Sequence, residues 1–520
     1  MGMTDDPGRS RRARGGGAGR ARVPAPAIAQ MPWRLPVNPD RPTEPLDPDG
    51  LQRIHRAAMR ILSEIGIEFP NPEATAILKR AGCIVSGTNV RMDAAFVMEM
   101  LAQAPPQFAI TPRNPAHRIT MGGDVMLFGN VSSSPNVWDL ERGKRAGDRE
   151  SYRDFVRLTQ YFNCIHFFGG YPVEPADIAP AIRHLDCMQD ALTLSDKAVH
   201  VYTLGAERIE DAMEMVRLAA GLDHDEFDAA PRLFTNINSA SPLKHDFAML
   251  DGAMRLARRG QPVVVTPFTL AGATAPAGMA GAVALSLAEA LSAVALLQYV
   301  RPGCPVAIGT FTTGIDARTG APSFGTPEAM RATQMTGQLV RFYGLPLRSS
   351  GACSANVPDG QAMWESANSL WAAVQSRANM VYHAAGWLEG GLVASPEKFV
   401  MDCEVLQIIQ RYFEQAVFAT TDDDIAIEAI RAAGAQGHWF GSQTPKAGGA
   451  APFHTPFASD WRSYEAWHLD GAVWTAERAH GIYKRILADF TPPPMPDADR
   501  EALERFVAHR KQEGGASVDG

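Results

Sequence analysis

Few of the residues suited to chemistry in this chain are ionisable. The candidates that follow short apolar runs are His383, Glu389, Asp139, Asp316 and Asp359. No pair of them has a spacing that requires a bound metal or an acid–base dyad. The spacing of titratable residues therefore predicts no metal site.

Aromatic side chains are more frequent at the same kind of position. Ten lie at or just beyond predicted strand ends: Phe128, Trp138, Phe168, Tyr171, Tyr202, Phe234, Phe268, Phe311, Trp364 and Trp387. One ring after a strand is usually a core residue. Several rings at one opening would form an electron-rich cup that holds a quaternary ammonium by cation–π attraction of about 0.5–2 kcal/mol per ring. The prediction of such a cup therefore depends on convergence of the rings.

Other motifs are weaker. The glycine-rich run GGGAG lies near the amino terminus and not after a strand, so nucleotide binding is disfavoured. Cys353 in SGACSAN could act as a nucleophile, but no histidine or asparagine partner can be assigned to it. A buried thiol is the better interpretation of this residue.

The composition of the chain narrows the possible classes of protein. The chain has 520 residues, is 46% hydrophobic and carries a net charge of −8, which argues against nucleic acid as a partner. The basic, glycine-rich stretch GRSRRARGGGAGRAR predicts a solvated tail without the apolar core of a secretory signal. No window reaches the roughly 18 apolar residues of a membrane span, so we expect a soluble, cytoplasmic protein. Six scattered cysteines predict neither disulfides nor structural zinc.

Strand and helix signals alternate through the middle of the chain, centred on a clear strand–helix–strand unit at residues 263–309. Eight repeats predict an α/β fold of the (β/α)8 barrel type, with a doubly wound open sheet as the alternative. The candidate strands are 125–129, 165–169, 198–203, 233–236, 263–266, 306–309, 347–350 and 380–383.

The predicted organisation has four parts. Residues 1–48 form a disordered basic and Pro-rich tail, and 49–122 a helical subdomain with a small hairpin. Residues 123–416 form the barrel. Residues 417–520 form a helical extension that packs on the barrel or on a second subunit, so a homo-oligomer is expected. A long helix is expected over 460–488 within this extension.

Several stretches resemble a known family. They include PFTLAGATAPAGMAGAVALSLAEALSAVALLQYVRPGCPVAIGTF, GTPE, YGLPLRSSGACSANVPDGQA and AAGWLEGGLVASPEKFVMDCEVL. These stretches are similar to the corrinoid-dependent trimethylamine methyltransferase family, and the resemblance covers residues 51–483. It implies a TIM barrel that moves a methyl group from a methylated amine to the cob(I)alamin of a separate corrinoid protein, which docks over the barrel mouth.

The resemblance also draws attention to a residue that this chain does not contain. The founding trimethylamine enzymes carry pyrrolysine on the barrel rim, whereas this sequence shows only standard residues. The equivalent loop is placed near residues 350–356. Members without pyrrolysine are associated with quaternary amines such as glycine betaine, and this chain resembles them.

The predicted chemistry agrees with that substrate class. A quaternary nitrogen already carries its activating charge, so the amine leaves neutral and no general acid is required. The cofactor carries the difficult step, while the protein supplies orientation and desolvation.

The site predicted on this basis combines a cage with polar groups. Tyr171, Tyr202, Phe268, Phe311 and Trp387 are assigned to the cage walls. Asn236, Asn238, Thr310 and His383 are assigned to the substrate carboxylate or to ordered water, and Glu389 to a counter-charge, with His383 and Glu389 as the catalytic candidates. Gly272, Thr274, Ser350 and Asn356 are assigned to the face that meets the cofactor, although residues 272–276 could equally be a tight turn. No metal ligand is assigned.

Other functions stay open. Trimethylamine or another methylamine could be the donor. A non-catalytic betaine-binding barrel for osmolyte sensing or storage would bind without methyl transfer. An unrelated barrel enzyme, such as an aldolase or a decarboxylase, would need a lysine or a metal on the rim.

Overall fold

The computed structural model describes residues 28–414, 417, 419–435, 437 and 453–517. The helices are α1 Pro48–Arg60, α2 Pro72–Arg80, α3 Ala94–Leu101, α4 Arg149–Tyr161, α5 Pro180–Leu194, α6 Ala206–Ala219, α7 His224–Asp228, α8 Phe247–Arg258, α9 Met279–Val300, α10 Pro327–Phe342, α11 Gly360–Gln375, α12 Pro396–Tyr412, α13 Asp422–Ile425, α14 Ile427–Ala433, α15 Tyr464–Leu469, α16 Thr475–Ala488 and α17 Asp497–Gln512. The strands are β1 Ile67–Glu68, β2 Ile84–Ser86, β3 Asn89–Arg91, β4 Gln107–Ile110, β5 Ile119–Gly122, β6 Leu127–Asn130, β7 Asn136–Asp139, β8 Gly143–Ala146, β9 Thr235–Ile237, β10 Val263–Val265, β11 Phe268–Ala271, β12 Val306–Gly309, β13 Phe311–Ile315, β14 Pro322–Ser323, β15 Leu347–Ser350, β16 Met380–Ala385, β17 Trp387–Leu388 and β18 Val393–Ala394.

Eight parallel strands close into a barrel. Six of them form one parallel sheet in the order β6, β16, β15, β12, β10, β9. The other two are short segments at Phe167 and at residues 198–200. Phe167 forms single parallel bridges with Gly129 of β6 and with Ala198, and His200 forms one with Phe234, next to β9, which closes the ring. The predicted (β/α)8 barrel is therefore confirmed, and the open-sheet alternative is wrong.

The barrel interior is a packed core at its amino-terminal end. The strands contribute one cluster of buried side chains to this core: Leu127, Phe167, Ala198, Phe234, Val264, Ala307, Met380 and Tyr382. The hairpin β4–β5 contributes Ile110, Ile119 and Met121 to the same cluster. The hairpin thus closes the end where the strands begin. The opposite end, formed by the carboxyl termini of the eight strands, is called the barrel mouth below, and it is where this fold places its chemistry.

Helix α9 is the central helix of the fold. It is apolar on all sides because α1, α2 and α3 pack on it from outside the barrel. Within the described residues it is the one helix long and apolar enough to cross a membrane, yet 89% of its most apolar window is buried inside the fold. Its hydrophobicity therefore serves the core of the folded chain.

The amino-terminal segment departs from the expectation for residues 1–48. Residues 28–47 have no helix, but they are tied to the barrel. Met31 N donates to Gln407 Oε1 at 2.8 Å, and Leu46 N donates to Gln338 Oε1 at 2.9 Å. These buried amide partners order the Pro-rich stretch. The predicted disorder does not extend to residue 48, and residues 1–27 lie outside the described residues.

The carboxyl-terminal helices pack on the barrel helices. Helix α16 lies against α12 and α4, and α17 lies against α5 and α6. Arg510 and Lys511 of α17 pair with Asp211 and Asp186 at 2.7 Å each. The single long helix predicted over 460–488 is wrong, because Gly471, at a φ of 95°, separates α15 from α16.

Short strands also build the rim of the mouth, which sequence patterns indicated only as loops. One small sheet has the order β11, β13, β14, and another has the order β17, β18, β7, β8. Strands β11, β13 and β17 follow the barrel strands β10, β12 and β16 almost directly along the chain. The loops that carry the predicted site are therefore held by backbone hydrogen bonds.

Candidate active site

Three phenylalanines form one wall of the mouth. Phe268 and Phe311 open the parallel strands β11 and β13 and are directly paired in register, so their ring centres lie 4.9 Å apart. Phe324 stacks on Phe311 at 5.1 Å with an angle of 17° between the planes. The rim sheet therefore sets the position of these rings.

Trp387 and His383 complete this wall. Their ring centres are 3.9 Å apart, and the centre of Phe311 lies 6.3 Å from Trp387 and 5.7 Å from His383. Trp387 Nε1 donates to the Cys353 carbonyl at 3.2 Å, which fixes the indole. These five rings, Phe268, Phe311, Phe324, His383 and Trp387, are called the ring cluster below.

His383 has an unusual backbone and a closed set of partners. It adopts a φ of 52° where the pairing of β16 with β6 shifts register. A buried non-glycine residue in this conformation is strained, and such strain concentrates at functional sites. Its Nδ1 lies 2.8 Å from Ser350 Oγ, and its Nε2 lies 3.0 Å from Ser132 Oγ.

Protonation of His383 is disfavoured. Burial, followed by the nearby charge of Arg348, holds the pKa of His383 well below its usual value. The imidazole is therefore neutral near pH 7. In this state His383 hydrogen-bonds to Ser350 and Ser132 as a neutral ring and not as an imidazolium.

Tyr171 and Tyr202 form a separate pair on the other side of the mouth. Their ring centres are 4.6 Å apart, and the Tyr202 hydroxyl accepts from the Tyr171 backbone N–H at 3.1 Å. The same hydroxyl lies 2.7 Å from Ser133 Oγ. Both tyrosines line a cavity of about 720 Å³ whose walls also include Glu174 and Arg208.

The five predicted cage residues therefore do not line one cavity. Phe268, Phe311 and Trp387 belong to the ring cluster, whereas Tyr171 and Tyr202 face the separate cavity. The reason is topological, because the tyrosines follow the second and third barrel strands and the other rings follow the fifth, sixth and eighth. Adjacent serines, Ser132 and Ser133, connect the two groups through His383 and Tyr202.

The predicted amide groups bind each other. Asn236 Nδ2 donates to Asn238 Oδ1 at 2.7 Å, and Asn236 Oδ1 accepts from Thr266 Oγ1 at 2.6 Å. Their hydrogen-bonding capacity is largely used within the barrel. Thr310 Oγ1, in contrast, is buried and has no partner among the described residues.

The predicted carboxylates are committed to other partners. Glu389 Oε2 lies 2.6 Å from Lys144 Nζ on β8, at the rim. Asp139 pairs with Arg145 at 2.7 Å, and Asp359 caps α11 by accepting from Ala362 N at 3.2 Å. Asp316 accepts from backbone N–H groups in the turn after β13. Within the described residues, none of these side chains reaches the ring cluster by an observed contact.

The four residues assigned to the cofactor face lie apart. Gly272, at a φ of 92°, and Thr274, whose Oγ1 accepts from Leu270 N at 2.9 Å, form a tight turn before α9. Asn356 is exposed, and Ser350 lies inside against His383. The turn interpretation of residues 272–276 describes this segment best.

Arg348 is the main residue that the sequence patterns missed. It lies on β15 with only 3% of its surface exposed, and its Nε and Nη1 have no hydrogen-bond partner among the described residues. The guanidinium carbon lies 4.3 Å from the Tyr382 ring centre and 5.3 Å from that of Phe311. Burial lowers the pKa of Arg348 to about 10, so it is charged near pH 7. In the sequence, the signal that could have identified this residue was a single arginine within the predicted strand LRSS.

Further polar groups are buried in the barrel, and two of them, Tyr382 and His200, interact with Arg348. Asn130 Nδ2, the Tyr382 hydroxyl and His200 Nδ1 are buried and have no hydrogen-bond partner within the part of the chain that the structure describes. His200 Nε2 accepts from Asn236 N at 3.0 Å, so Nδ1 carries the proton of the neutral ring. Burial, followed by the charge of Arg348, lowers the pKa of His200 to about 3.

A family model described as Trimethylamine methyltransferase (MTTB) matches residues 12–515. The chain belongs to the trimethylamine methyltransferase family. The match spans the barrel, both sides of the mouth and the carboxyl-terminal helices. The resemblance described from sequence motifs is thereby confirmed, and the chain is an amine methyltransferase.

Relatives within the trimethylamine methyltransferase family carry names that give different substrates. The chain is 35% identical to the glycine betaine methyltransferase of Desulfitobacterium hafniense (strain Y51), covering 90% of this chain and 98% of that protein. It is 26% identical to the proline betaine:corrinoid methyltransferase of Eubacterium limosum, over 88% and 96% of the two chains. Identity to the trimethylamine methyltransferase MttB of Methanosarcina barkeri is 28%, over 87% and 92%.

Among solved structures, the monomethylamine methyltransferase MtmB of Methanosarcina barkeri has a similar fold. The TM-score is 0.51 with 10% sequence identity, over 89% of this chain and 88% of that one. This similarity supports the barrel architecture of the chain and carries no information on its substrate.

Neither metal binding nor nucleophilic attack by a cysteine is supported by the geometry of the mouth. Within the described residues, no group of three or more histidine, cysteine or carboxylate side chains is placed to hold a metal. Cys353 is buried, its Sγ lies 3.0 Å from the Trp387 carbonyl, and burial raises its pKa to about 11. The thiol is therefore protonated near pH 7 and serves as a packing and hydrogen-bonding group.

Proposed function

We propose that this chain transfers a methyl group from a quaternary amine of the glycine betaine type to the cob(I)alamin of a separate corrinoid protein. The relatives with 35% and 26% identity act on glycine betaine and proline betaine by name, which supports this class of donor. The observation that carries the proposal is the ring cluster at the barrel mouth, where aromatic rings surround a histidine that stays neutral.

The nature of the leaving group explains why a mouth without an acid would suffice for methyl transfer. When the methyl carbon of a quaternary ammonium is attacked, the C–N bond breaks and its electron pair stays on nitrogen, which leaves as a neutral tertiary amine. No proton is transferred in this step. His383 is neutral and Glu389 is paired with Lys144, so the mouth offers no obvious acid, and the reaction needs none.

The remaining contributions would come from binding. Cob(I)alamin supplies a strong nucleophile when the partner protein presents it. Phe268, Phe311 and Trp387 would attract the ammonium by cation–π interaction and exclude water from it. Strands β11 and β13 would hold these rings in place, so that the methyl group is presented in one orientation.

The route of access follows from the fold. The hairpin β4–β5 closes the amino-terminal end of the barrel, so a corrinoid protein would have to approach the mouth. The rim strands β7, β8, β11, β13 and β14 surround this opening and would form the docking surface.

The direct test is methylation of cob(I)alamin, followed by its change in absorbance. Glycine betaine, proline betaine, carnitine and trimethylamine are offered as separate donors. We expect turnover with at least one of the three quaternary donors and none with trimethylamine. Turnover with trimethylamine alone would overturn the proposed donor class. Calorimetric binding of a betaine without any methyl transfer would favour a binding protein instead.

A further inference from the structure

Exposed apolar side chains are concentrated in one segment of the carboxyl-terminal extension. Among the described residues, the five most exposed large apolar side chains all lie between positions 453 and 474. They are Phe453 at 80%, Trp461 at 71%, Tyr464 at 68%, Leu469 at 86% and Trp474 at 74%. The next is Trp364 on the barrel helix α11, at 59%. Residues 453–474 are called the aromatic arm below.

The aromatic arm has an ordered structure of its own. Trp467 Nε1 donates to the Val473 carbonyl at 3.0 Å, which fixes this indole within the arm. Arg462 pairs with Asp460 at 2.7 Å and with Asp470 at 2.9 Å, so the two ends of α15 are held together. The exposed rings are therefore presented by a formed loop, and little ordering is required when they are covered.

The arm is attached to the barrel at its ends and not in its middle. Before α15, Phe457 N and Ala458 N each donate to Glu404 Oε2 at 2.9 Å. After it, α16 packs on α12 and α4. In the part of the chain that the structure describes, no other helix or strand packs closely on α15 itself. The outer face of the arm is therefore uncovered in a single chain.

The apolar surface of the arm exceeds what a monomer usually leaves exposed. At about 150–250 Å² per aromatic side chain, the five side chains together expose on the order of 700 Å². The largest apolar patch on a typical monomer measures about 300–600 Å². A standard interface buries about 800 Å² on each partner. The arm thus supplies nearly all the surface that one side of a stable dimer needs.

A surface cavity of about 520 Å³ lies at the base of the arm. Its walls include Pro456, Trp461, Arg462 and Arg478. An indole and guanidinium planes are surfaces on which another aromatic ring stacks favourably. The arm therefore carries both protruding rings and a place that receives a ring. Such a surface is self-complementary, as an interface across a two-fold axis must be.

We propose that the aromatic arm is the interface of a homodimer, in which the arms of two chains meet across a two-fold axis. Each arm seats a ring in the cavity at the base of the other. This inference goes beyond the proposed methyl transfer and does not depend on it.

A second copy fits the arm better than a corrinoid protein does. A corrinoid protein has to dock and leave in every turnover, so it would leave these rings exposed for part of each cycle. A permanent partner keeps them covered, and permanent interfaces are the more apolar class. Within the described residues, no other segment exposes large apolar side chains to this extent, so the matching surface on a second copy is its own arm.

The mass of the full chain in solution tests the proposal. Light scattering after gel filtration is performed at about 20 µM chain, above the Kd of about 1 µM or tighter expected for an interface of this size. We expect about 112 kDa, twice the 56.2 kDa of one chain. Trp461→Ser combined with Leu469→Ser should raise the dimer Kd at least about 100-fold and give a particle of 56.2 kDa. Trp364→Ser is the matched control and should stay dimeric.

The arm variant should keep the far-ultraviolet circular dichroism of the unmodified chain, because both substituted side chains are exposed. If the unmodified chain forms a larger assembly, the variant should halve its mass. An unmodified chain that is monomeric at this concentration would overturn the proposal, and so would a folded variant with unchanged mass. A monomeric chain that binds a corrinoid protein, and loses this binding in the arm variant, would assign the arm to that partner instead.

A second measurement needs no variant. Hydrogen–deuterium exchange of the unmodified chain is compared above and below the concentration at which the dimer dissociates. Peptides from residues 459–474 should exchange at least about tenfold faster in the diluted sample, since the covering arm has left. Peptides from α11 should exchange equally in both samples. Exchange in the arm that does not change with concentration would overturn its role as the interface.

Discussion

His383 Nε2 lies 3.0 Å from Ser132 Oγ, so the imidazole of the last barrel strand is joined to the segment that follows the first strand. The same ring reaches Ser350 on the seventh strand at 2.8 Å. One neutral side chain thereby connects three strand ends at the barrel mouth. Its strained backbone, with a φ of 52°, is kept by these contacts.

The pH dependence of methyl transfer should reflect the neutral state of His383. Because burial and Arg348 keep the pKa of His383 well below 6.5, its charge does not change between pH 6 and 8. We expect the single-turnover rate with glycine betaine and free cob(I)alamin to vary less than about twofold across this range. A rate that rises or falls tenfold with a midpoint near pH 6.5 would show that a histidine titrates in the reaction.

Removal of the indole from the ring cluster should weaken substrate binding. Trp387 is 6% exposed and lies against His383 and Phe311, whereas Trp364 on α11 is 59% exposed. We expect Trp387→Leu to raise the KM or Kd for glycine betaine at least about fivefold, from the loss of roughly 1 kcal/mol of cation–π attraction. Trp364→Leu is the matched control. An equal effect of the two substitutions would remove Trp387 from the proposed cage.

Much of the barrel could be predicted from sequence because its strands are short apolar runs between helices. Val263–Val265 and Val306–Gly309 appear where the pattern placed them. The second and third strands are held by single bridges at Phe167, Ala198 and His200, and they were still visible in the alternation. The rim strands were missed, since they are short and lack the apolar β-branched runs of the barrel strands.

The site was harder to predict than the fold. Phe128, Phe168 and Phe234 follow the same pattern as the rim rings, but they are buried core residues. Composition cannot distinguish these positions, because inward and outward residues alternate on strands that are covered on both faces. Arg348 was missed for another reason. It stands out because its Nε and Nη1 lack hydrogen-bond partners among the described residues, and no linear pattern contains that information.

Glycine at position 309 is required by a close approach between two barrel strands. A Cβ there would overlap Thr266 Oγ1, which donates to Asn236 at 2.6 Å. Gly309→Ala should destabilise the fold by about 1–3 kcal/mol, as overpacking does, and lower methyl transfer by displacing Thr266. Gly278→Ala is the control, because a Cβ at Gly278 meets no atom within 4 Å. Urea unfolding and the cob(I)alamin assay measure both effects, and equal stability of the two variants would contradict the overlap.

Stability should fall in mild acid because buried histidines must stay neutral. Burial lowers the pKa of His245 to about 4, and its Nε2 lies 2.8 Å from Ser292 Oγ. A depressed folded-state pKa leaves stability complete above the unfolded value of about 6.5 and removes it as the pH falls toward 4. His245 alone should cost about 2 kcal/mol at pH 5.

The measurement compares urea unfolding at pH 7 and pH 5 for the unmodified chain and for His245→Asn, which has no titrating ring. The loss of stability between the two pH values should be about 2 kcal/mol smaller in the variant. An identical loss in both proteins would show that His245 does not contribute to the acid sensitivity.

The buried pair of Lys398 and Asp402 should support the mouth from the outside of the barrel. Asp402 Oδ2 accepts from Gly386 N at 2.9 Å, next to Trp387, and Lys398 Nζ also reaches Ser366 Oγ at 2.8 Å. Lys398→Met leaves a buried carboxylate without its cation and should cost about 3–5 kcal/mol of unfolding free energy. In Lys398→Met combined with Asp402→Asn, the amide oxygen can still accept from Gly386 N and no charge is left unpaired. Urea unfolding should therefore show the double variant to be more stable than Lys398→Met alone. If the second substitution adds a further loss, the pair does not act by charge compensation.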